Sequence, residues 1–517
     1  MQRENNRAKL LTRRAIMLAG GQVALLATLA GRMYYLQVMQ SDRYAMLADE
    51  NRINIRLLAP PRGRIIDRFG VALADNHPTY RVVVVAEQAG DMESTFNAVG
   101  TLIPLSDADR RRVMRDIRRK HSFVPVIVRD NLSWEEMARI EVNTLELPGV
   151  SIEQGSTRFY PFGEAASHVL GYVAAVSESE LTGDDPLLEL PGFRIGKNGV
   201  EKAYDLELRG SAGTSQIEVN ALGRVVRELA REDGIPGQEI VLTLDMALQD
   251  LAARRCLAEK SAACVMMDAW TGEVLALVSM PSYDPSAFAL GLPQATWDEL
   301  QHDPRKPLGN KAIGGGGNGY PPGSTFKPIV ALAALEAGVM TPETRVFCTG
   351  QYPFGEHVFH CWKKGGHGSM NLRDAIKHSC DTYFYDTARR LGIDPIAAMA
   401  KRFGLGAPLG IDLPGEASGF IPSTQWKKTL AKDPVWHPGE TLSCAIGQGY
   451  VQATVLQLAT QAARLATGHA VVPRLVREAG IMTKDARDAS SPFPAIEVSA
   501  KDLKLVLDGM YAVVNEQ

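Results

Sequence analysis

The chain has 517 residues, 45% of them hydrophobic and 22% charged, with a formal net charge of −3. That length and apolar content leave room for roughly three packed domains and exclude a chain disordered throughout. The near-neutral balance excludes a strongly basic nucleic-acid-binding class.

The first element is apolar. Ala15 to Gly31 (AIMLAGGQVALLATLAG) carries no charge, and its 17 residues reach the lower end of a membrane-spanning helix. Arg3, Arg7, Lys9, Arg13 and Arg14 precede it against a single acid, Glu4. The positive-inside rule then predicts a cytoplasmic tail over residues 1–14, an anchor over 15–36 and the bulk of the chain across the membrane. A cleaved signal peptide is the competing reading. Ala27-Thr28-Leu29-Ala30 is a poor cleavage site, and Tyr34, Tyr35 and Leu36 prolong the apolar run.

Ala59 to Asn76 follows (APPRGRIIDRFGVALADN). Ile65, Ile66 and Val71 about a turn at Gly70 predict short strands joined by a hairpin. Residues 90–150 read as charged amphipathic helices. Within them, Arg110 to Lys120 (RRRVMRDIRRK) has an apolar residue every three to four positions, which predicts a solvated helix face. A mixed segment comes next, with RFYPFGEAASHVLGYV (Arg158 to Val173) and GKNGVEKAYDLELRG (Gly196 to Gly210). A boundary is expected near residue 240. Glu239 to Asp245 (EIVLTLD) predicts a strand, then a helix, and the apolar runs flanking Trp270-Thr271-Gly272 predict a hairpin. From Pro322 helices dominate: Ile329–Ala337, Leu372–Leu391, Val455–Ala466 and a last one over Lys501–Tyr511. A sheet with a large helical layer is the expectation for residues 240–517.

PPGSTFKP, residues 321–328, raises the chemical question. Gly314 to Gly319 (GGGGNG) leads into it, and composition gives no reason for so loose an approach. A serine hydroxyl is a weak nucleophile unless a base takes its proton. Side chains three apart share a helix face, so Lys327 is expected to reach Ser324. A helix N-terminus there would favour negative charge developing on the serine oxygen or on an attacked carbonyl. A bare S-x-x-K is far more often a helix cap with a surface lysine, so context must decide. Cys348, Cys361, His367 and Cys380 lie close by in the order C-x12-C-x5-H-x12-C. Three thiolates and one imidazole could close a tetrahedral zinc site. A Cys348–Cys361 disulfide is the rival, with lone buried thiols a third possibility. His357 and His360 are spare ligands, and Cys256, Cys264 and Cys444 read as small core residues.

With YPPGSTFKP on the page, the sequence resembles the penicillin-binding proteins, serine acyltransferases that cross-link cell-wall peptidoglycan. PRGRIIDRFG, RFYPFGEAASHVLGY and GKNGVEKAYDLELRG resemble the pedestal of the monofunctional class B type. LTLD, DAWTGEVLALVSMPSYDP (Asp268 to Pro285) and GQGYVQAT (Gly447 to Thr454) resemble its transpeptidase domain. The resemblance implies an α+β, multidomain chain. A transmembrane helix would lead into an elongated mixed α/β pedestal over 37–239. A transpeptidase domain with an antiparallel sheet flanked by helices would fill 240–517.

It also implies site roles. Ser324 would be the acylated nucleophile and Lys327 its base. The second motif, Ser379-Cys380-Asp381, would supply a proton relay in Ser379 and an anchor for the lysine in Asp381, where Asn is commoner. That carboxylate would raise a lysine pKa, so other local influences are expected to oppose it. The third motif, K-[ST]-G, is not found from residue 400 onward: Lys484 precedes Asp485 and Lys501 precedes Asp502. The expectation is a fragment lacking the C-terminal strands, inactive as it stands. The elongation-type branch, penicillin-binding protein 2, carries a zinc site in the matching region, with a ligand inside the second motif. The resemblance therefore implies one structural zinc on Cys348, Cys361, His367 and Cys380. The implied activity is D,D-transpeptidation of stem peptides during elongation, blocked by β-lactams. Implied partners are a SEDS-type glycosyltransferase and a periplasmic scaffold protein, at the inner membrane. A division-type enzyme, a membrane-bound β-lactam sensor and a non-catalytic scaffold are the rivals.

Overall fold

The computed structural model describes residues 2–35, 39, 53–119, 122, 124–181, 183–219, 225–477 and 493–516. Leu36 of the expected anchor, Asp49 to Arg52, Lys120 and the Lys484-Asp485 pair lie outside the described residues.

Gln2–Tyr34 form one 33-residue helix. Among the described residues no helix is long and apolar enough to cross a membrane, so the spanning expectation is not carried by this segment's hydropathy. Gly20, Gly21, Gln22 and Thr28 dilute its apolar run. Met17, Leu18, Val23, Leu25, Leu26 and Leu29 are nevertheless all exposed.

The pedestal is built on a long bent strand, Ala72–Val84, flanked by antiparallel Val126–Leu132 and Val150–Phe159. Ile65–Ile66 pairs with its start around Gly70 at φ +88°, giving the expected hairpin. Helices Met92–Leu102, Asp107–Arg119 and Trp134–Asn143 bury Phe96, Val99, Val113 and Ile140 against Val82, Val84 and Val128. The basic stretch is thus a helix that buries Val113 and turns Arg111, Arg115 and Arg118 outward. Ile53–Leu58, Gly213–Val219 and Val225–Glu232 form a separate three-stranded sheet.

The three pedestal signatures meet at one carboxylate. Glu201, fully buried, accepts Arg62 Nε and Arg158 Nε at 2.7 Å each. Tyr160 Oη donates to it at 3.3 Å.

The expected strand at 239–245 is shorter and belongs elsewhere. Ile240–Val241 runs parallel to Ile65–Ile66 in the pedestal sheet, and Leu242 bridges Val476. The backbone of this stretch is paired on both sides of the boundary, so it joins the two parts rather than opening the second. Beyond it Ala262–Met267 and Val274–Met280 form the expected hairpin. Gly272 is required there: its φ is +72°, and a Cβ would lie 2.1 Å from the Val472 carbonyl oxygen. Helices Lys327–Glu336, Asp381–Leu391, Ile393–Arg402, Val455–Thr467 and Ala500–Asn515 make the helical layer. Phe326, Val330, Leu332, Tyr383, Phe384, Phe403 and Val506 fill its core. The predicted helix over 372–391 is instead two, Leu372–Lys377 and Asp381–Leu391. The break between them carries the site.

Candidate active site

Gly323–Phe326 make a single 3-10 turn that runs into the helix Lys327–Glu336. Gly323 has φ +59°, and its N–H donates to the Gly447 carbonyl at 2.9 Å. A Cβ on Gly447 would stand 2.1 Å from the Gly323 oxygen. Glycine at 447 therefore lets the GQGY segment press against the nucleophile turn. Ser324 is exposed, whereas Lys327 behind it is only 2% exposed.

The lysine does not reach the serine directly. Lys327 Nζ donates to Asp381 Oδ1 at 2.6 Å, to the Ser379 carbonyl at 2.9 Å and to Ser379 Oγ at 3.0 Å. An ammonium has three donors, and these oxygens take all three. Ser379 Oγ in turn donates to Ser324 Oγ at 2.9 Å. The expected Ser324–Lys327 contact is thus replaced by a line of four groups: Ser324, Ser379, Lys327 and Asp381. Lys327 Nζ also lies 5.5 Å from the centre of the Phe384 ring.

Ser379 holds its place through an unusual backbone. Its φ is +52°, in the left-handed region. Cys380 N–H donates to the Ala375 carbonyl and Ser379 N–H to the Ile376 carbonyl. That pair of bonds is a Schellman closure of the helix Leu372–Lys377, with Ser379 at the position glycine usually takes. Cys380 then stands at the N-cap position of the next helix without a side-chain capping bond, and Asp381 opens that helix, where its field favours a carboxylate.

The cysteines and histidine gather directly behind this break. One ligand atom each of Cys348, Cys361, His367 and Cys380 lies within 4.8 Å of all the others. His367 Nδ1 is 3.6 Å from Cys348 Sγ and 3.5 Å from Cys361 Sγ. Tetrahedral bonds of about 2.3 Å to sulfur and about 2.1 Å to nitrogen set that edge at about 3.6 Å, so the donor set fits zinc. All six cysteines are free thiols, which removes the disulfide rival. His357 and His360 are exposed on the neighbouring hairpin and stand outside the cluster.

Electrostatics divides the four candidate ligands. Burial, with Lys363 and His378 nearby, lowers the His367 pKa and favours the neutral ring that a metal needs. Burial pushes the Cys348 thiol up, but the Thr382 hydroxyl and the His367 and Gly350 N–H groups bring it below its usual value. Cys380 is raised by burial and by its two cysteine neighbours.

Several contributors escape a reading of the sequence. Trp362 N–H donates to Asp381 Oδ2 at 3.0 Å, and Thr382 Oγ1 donates to Cys348 Sγ at 3.2 Å. Gln461, buried on the helix Val455–Thr467, donates to the Thr325 carbonyl behind the nucleophile at 2.7 Å. Trp362 and Thr382 adjoin the candidate residues Cys361 and Asp381, but nothing in the sequence marks either as a contributor. Both ends of the glycine run now have a cause. Gly314 and Gly319 have φ +129° and +112°, and Cβ atoms there would stand 2.4 Å from Ala417 Cβ and 2.5 Å from the Ala453 oxygen.

Comparison with known proteins places the chain in a family. Residues 57–242 match the family described as Penicillin-binding Protein dimerisation domain, and residues 262–517 the Penicillin binding protein transpeptidase domain. The Escherichia coli K12 peptidoglycan D,D-transpeptidase MrdA is 37% identical over 514 residues, covering 98% of this chain and 80% of the relative. MrdA of Acinetobacter baumannii is 38% identical over 473 residues, 91% of this chain and 70% of the relative. Among solved structures, the Helicobacter pylori PBP2–MreC complex superposes with TM-score 0.77 at 29% identity, covering 90% of this chain and 85% of that one. Pseudomonas aeruginosa PBP2 in complex with WCK 5153 gives 0.65 at 35% identity, over 89% and 81%. With both family domains in order and this identity along nearly its whole length, the chain belongs to the class B penicillin-binding proteins of the elongation type and is a serine-type peptidoglycan D,D-transpeptidase.

Proposed function

We propose that Ser324 is the nucleophile, Ser379 the proton relay, Lys327 the base and Asp381 the group that holds the lysine. The unbroken hydrogen-bonded line through these four residues carries the reading. Ser324 Oγ attacks the carbonyl of the penultimate D-alanine of a stem peptide. The relay needs Lys327 in its neutral form, with the hydrogen bonds of the line reversed: the Ser324 proton then passes through Ser379 Oγ to Lys327 Nζ and returns by the same route to the amine of the departing terminal D-alanine. The amine of a second stem peptide then attacks the ester, forming the cross-link and releasing Ser324. A β-lactam that mimics the D-Ala-D-Ala end would acylate the same oxygen. Peptide mapping of the full-length protein after reaction with a fluorescent penicillin tests this. The adduct is expected on the peptide containing Ser324, and an adduct on another side chain overturns the assignment.

Cys348, Cys361, His367 and Cys380 would hold one zinc ion in a closed site. It would supply no reaction chemistry, only rigidity behind Ser379 and Asp381. Purified protein is expected to hold about one zinc per chain, and Cys361→Ser, which removes one of four ligands, to lower that content. Sub-stoichiometric zinc that the substitution leaves unchanged sinks the proposal.

The exposed apolar side chains of Gln2–Tyr34, with the basic residues before them, support a single-pass anchor in the bacterial inner membrane. The tail would lie in the cytoplasm and the bulk in the periplasm. A SEDS-type glycosyltransferase on the anchor and pedestal and a periplasmic scaffold protein on the pedestal are the proposed partners. Likeness to the PBP2–MreC complex supports the second. Likeness to a peptidoglycan synthase complex that coordinates polymerization and crosslinking supports the first (TM-score 0.68, 30% identity, 97% of this chain and 85% of that one).

A further inference from the structure

We infer that Trp362 is a positioning residue for acylation, whose indole N–H fixes the backbone that presents the Ser379 hydroxyl. The inference rests on the relay role proposed for Ser379 and names what holds that relay in place.

The polar contacts of Trp362 converge on the second motif. Its indole Nε1 donates to the carbonyls of His378 and Ser379, at 3.1 Å each. Its backbone N–H donates to Asp381 Oδ2 at 3.0 Å. The Ser379 carbonyl also accepts from Lys327 Nζ at 2.9 Å, so the lysine and the indole together fill its two lone pairs. The Asp381 carboxylate is gripped likewise, Oδ1 by the lysine and Oδ2 by the Trp362 N–H. Ser379 sits at φ +52°, a conformation a serine holds only where its surroundings over-determine it. Two donors on its own carbonyl are that over-determination.

Core packing does not account for the residue. Trp362 is 64% exposed, so the ring returns little of the stabilisation a buried aromatic would give. Its one aromatic neighbour within the cluster is His367, edge-on with ring centroids 5.3 Å apart. Trp362 follows Cys361 directly, and the Cys361 N–H is tied to the Gly350 carbonyl at 3.0 Å. The ligand loop and the relay therefore share one residue. An ordered Cys361 sets where the Trp362 main chain lies, and Trp362 sets the rotation of Ser379 about its left-handed bend.

Trp362→Phe and Trp362→Ala, made in the full-length protein, separate the donor from the ring. Both are expected to lower the acylation rate constant for a fluorescent penicillin by about tenfold, the effect of one net hydrogen bond. The initial binding constant and the zinc content of Trp362→Phe should stay at wild-type values, and its thermal midpoint should fall by no more than about 2–4 °C, the cost of one hydrogen bond. In Trp362→Phe/Ser379→Ala the loss should be no larger than in Ser379→Ala alone, because both act on the same relay. Wild-type acylation in Trp362→Phe with a loss only in Trp362→Ala overturns the inference in favour of ring packing. A loss confined to initial binding overturns it in favour of a substrate platform. Lost zinc, or a midpoint lowered by clearly more than the cost of one hydrogen bond, in Trp362→Phe overturns it in favour of a purely structural role. Full acylation by Ser379→Ala itself sinks the relay reading instead, so the two failures are told apart.

Discussion

Ser379→Gly and Ser379→Ala each slow acylation of Ser324 by about 10²- to 10⁴-fold, the range for loss of a proton-transfer group, yet the glycine variant is the more stable by about 1 kcal/mol. At an ordinary helical or extended position glycine is the less stable of the two, because its unfolded chain has more freedom to lose. Position 379 reverses the order. A residue with a Cβ in the left-handed region costs about 1–2 kcal/mol, and alanine bears that cost as serine does. Glycine escapes it and gives back about 0.4–1 kcal/mol in unfolded-state entropy. Both variants lose the same hydroxyl and its bonds to Lys327 and Ser324, so that loss cancels in the comparison. Denaturant unfolding of the two proteins and stopped-flow acylation check the two halves. Equal stabilities would mean that the strain is relieved by local movement, and an unimpaired rate would remove Ser379 from proton transfer. The helix C-terminus thus trades stability for a hydroxyl at the one place where Lys327 and Ser324 can both reach it.

The same bend shows where the sequence stops being readable. Ser324 and Lys327 were legible because their spacing is fixed by covalent geometry, and Ser379 and Asp381 because the motif that carries them is compact. The order of contact was not. Leu372–Leu391 reads as one helix because Leu372, Ala375, Ile376, Tyr383 and Phe384 keep an apolar rhythm across the break, and neither Gly nor Pro marks it. Only the three-dimensional demand for Ser379 between lysine and nucleophile places a left-handed serine there. Trp362 was illegible for another reason. Its grip on Asp381 comes from a main-chain N–H, which every residue but proline offers. The four cluster ligands could be named in sequence, yet their spacing fits no short metal signature, and the fold alone brings them together. At 240–242 the apolar strand was visible, but pairing partners for so short a strand depend on tertiary contacts.

The pedestal gives the second large effect. Glu201→Gln is expected to destabilise the pedestal by about 3–5 kcal/mol at pH 7, the usual result of removing one partner from a buried ion pair. At about 2–4 °C per kcal/mol for a domain of this size, its thermal midpoint falls by about 10 °C. The carboxylate is fully buried and is the shared partner of Arg62 and Arg158, whose side chains are 12% and 2% exposed. Glutamine keeps the shape but leaves two guanidinium groups without their charge. Asp205, 2.8 Å from Arg62, still compensates the first, whereas Arg158 retains only neutral acceptors, the Asn76 oxygen at 3.1 Å and the amide oxygen of the new glutamine. Arg158 therefore bears most of the penalty. The pH dependence has a definite sign. Burial raises the Glu201 pKa, but Arg158 and Arg62 outweigh burial and the net shift is downward. A depressed folded pKa contributes stability that is fully present above the unfolded value of about 4.3 and is lost as pH falls through the folded one. The gap between wild type and Glu201→Gln should therefore be constant from pH 7 to about pH 5 and close in stronger acid. Acylation per folded molecule should not change, since the network touches no residue of the Ser324 line. A gap under about 1 kcal/mol at pH 7 would mean that water reaches the two arginines once the carboxylate is gone. The three pedestal signatures would then be joined by packing of their apolar neighbours and not by this charge.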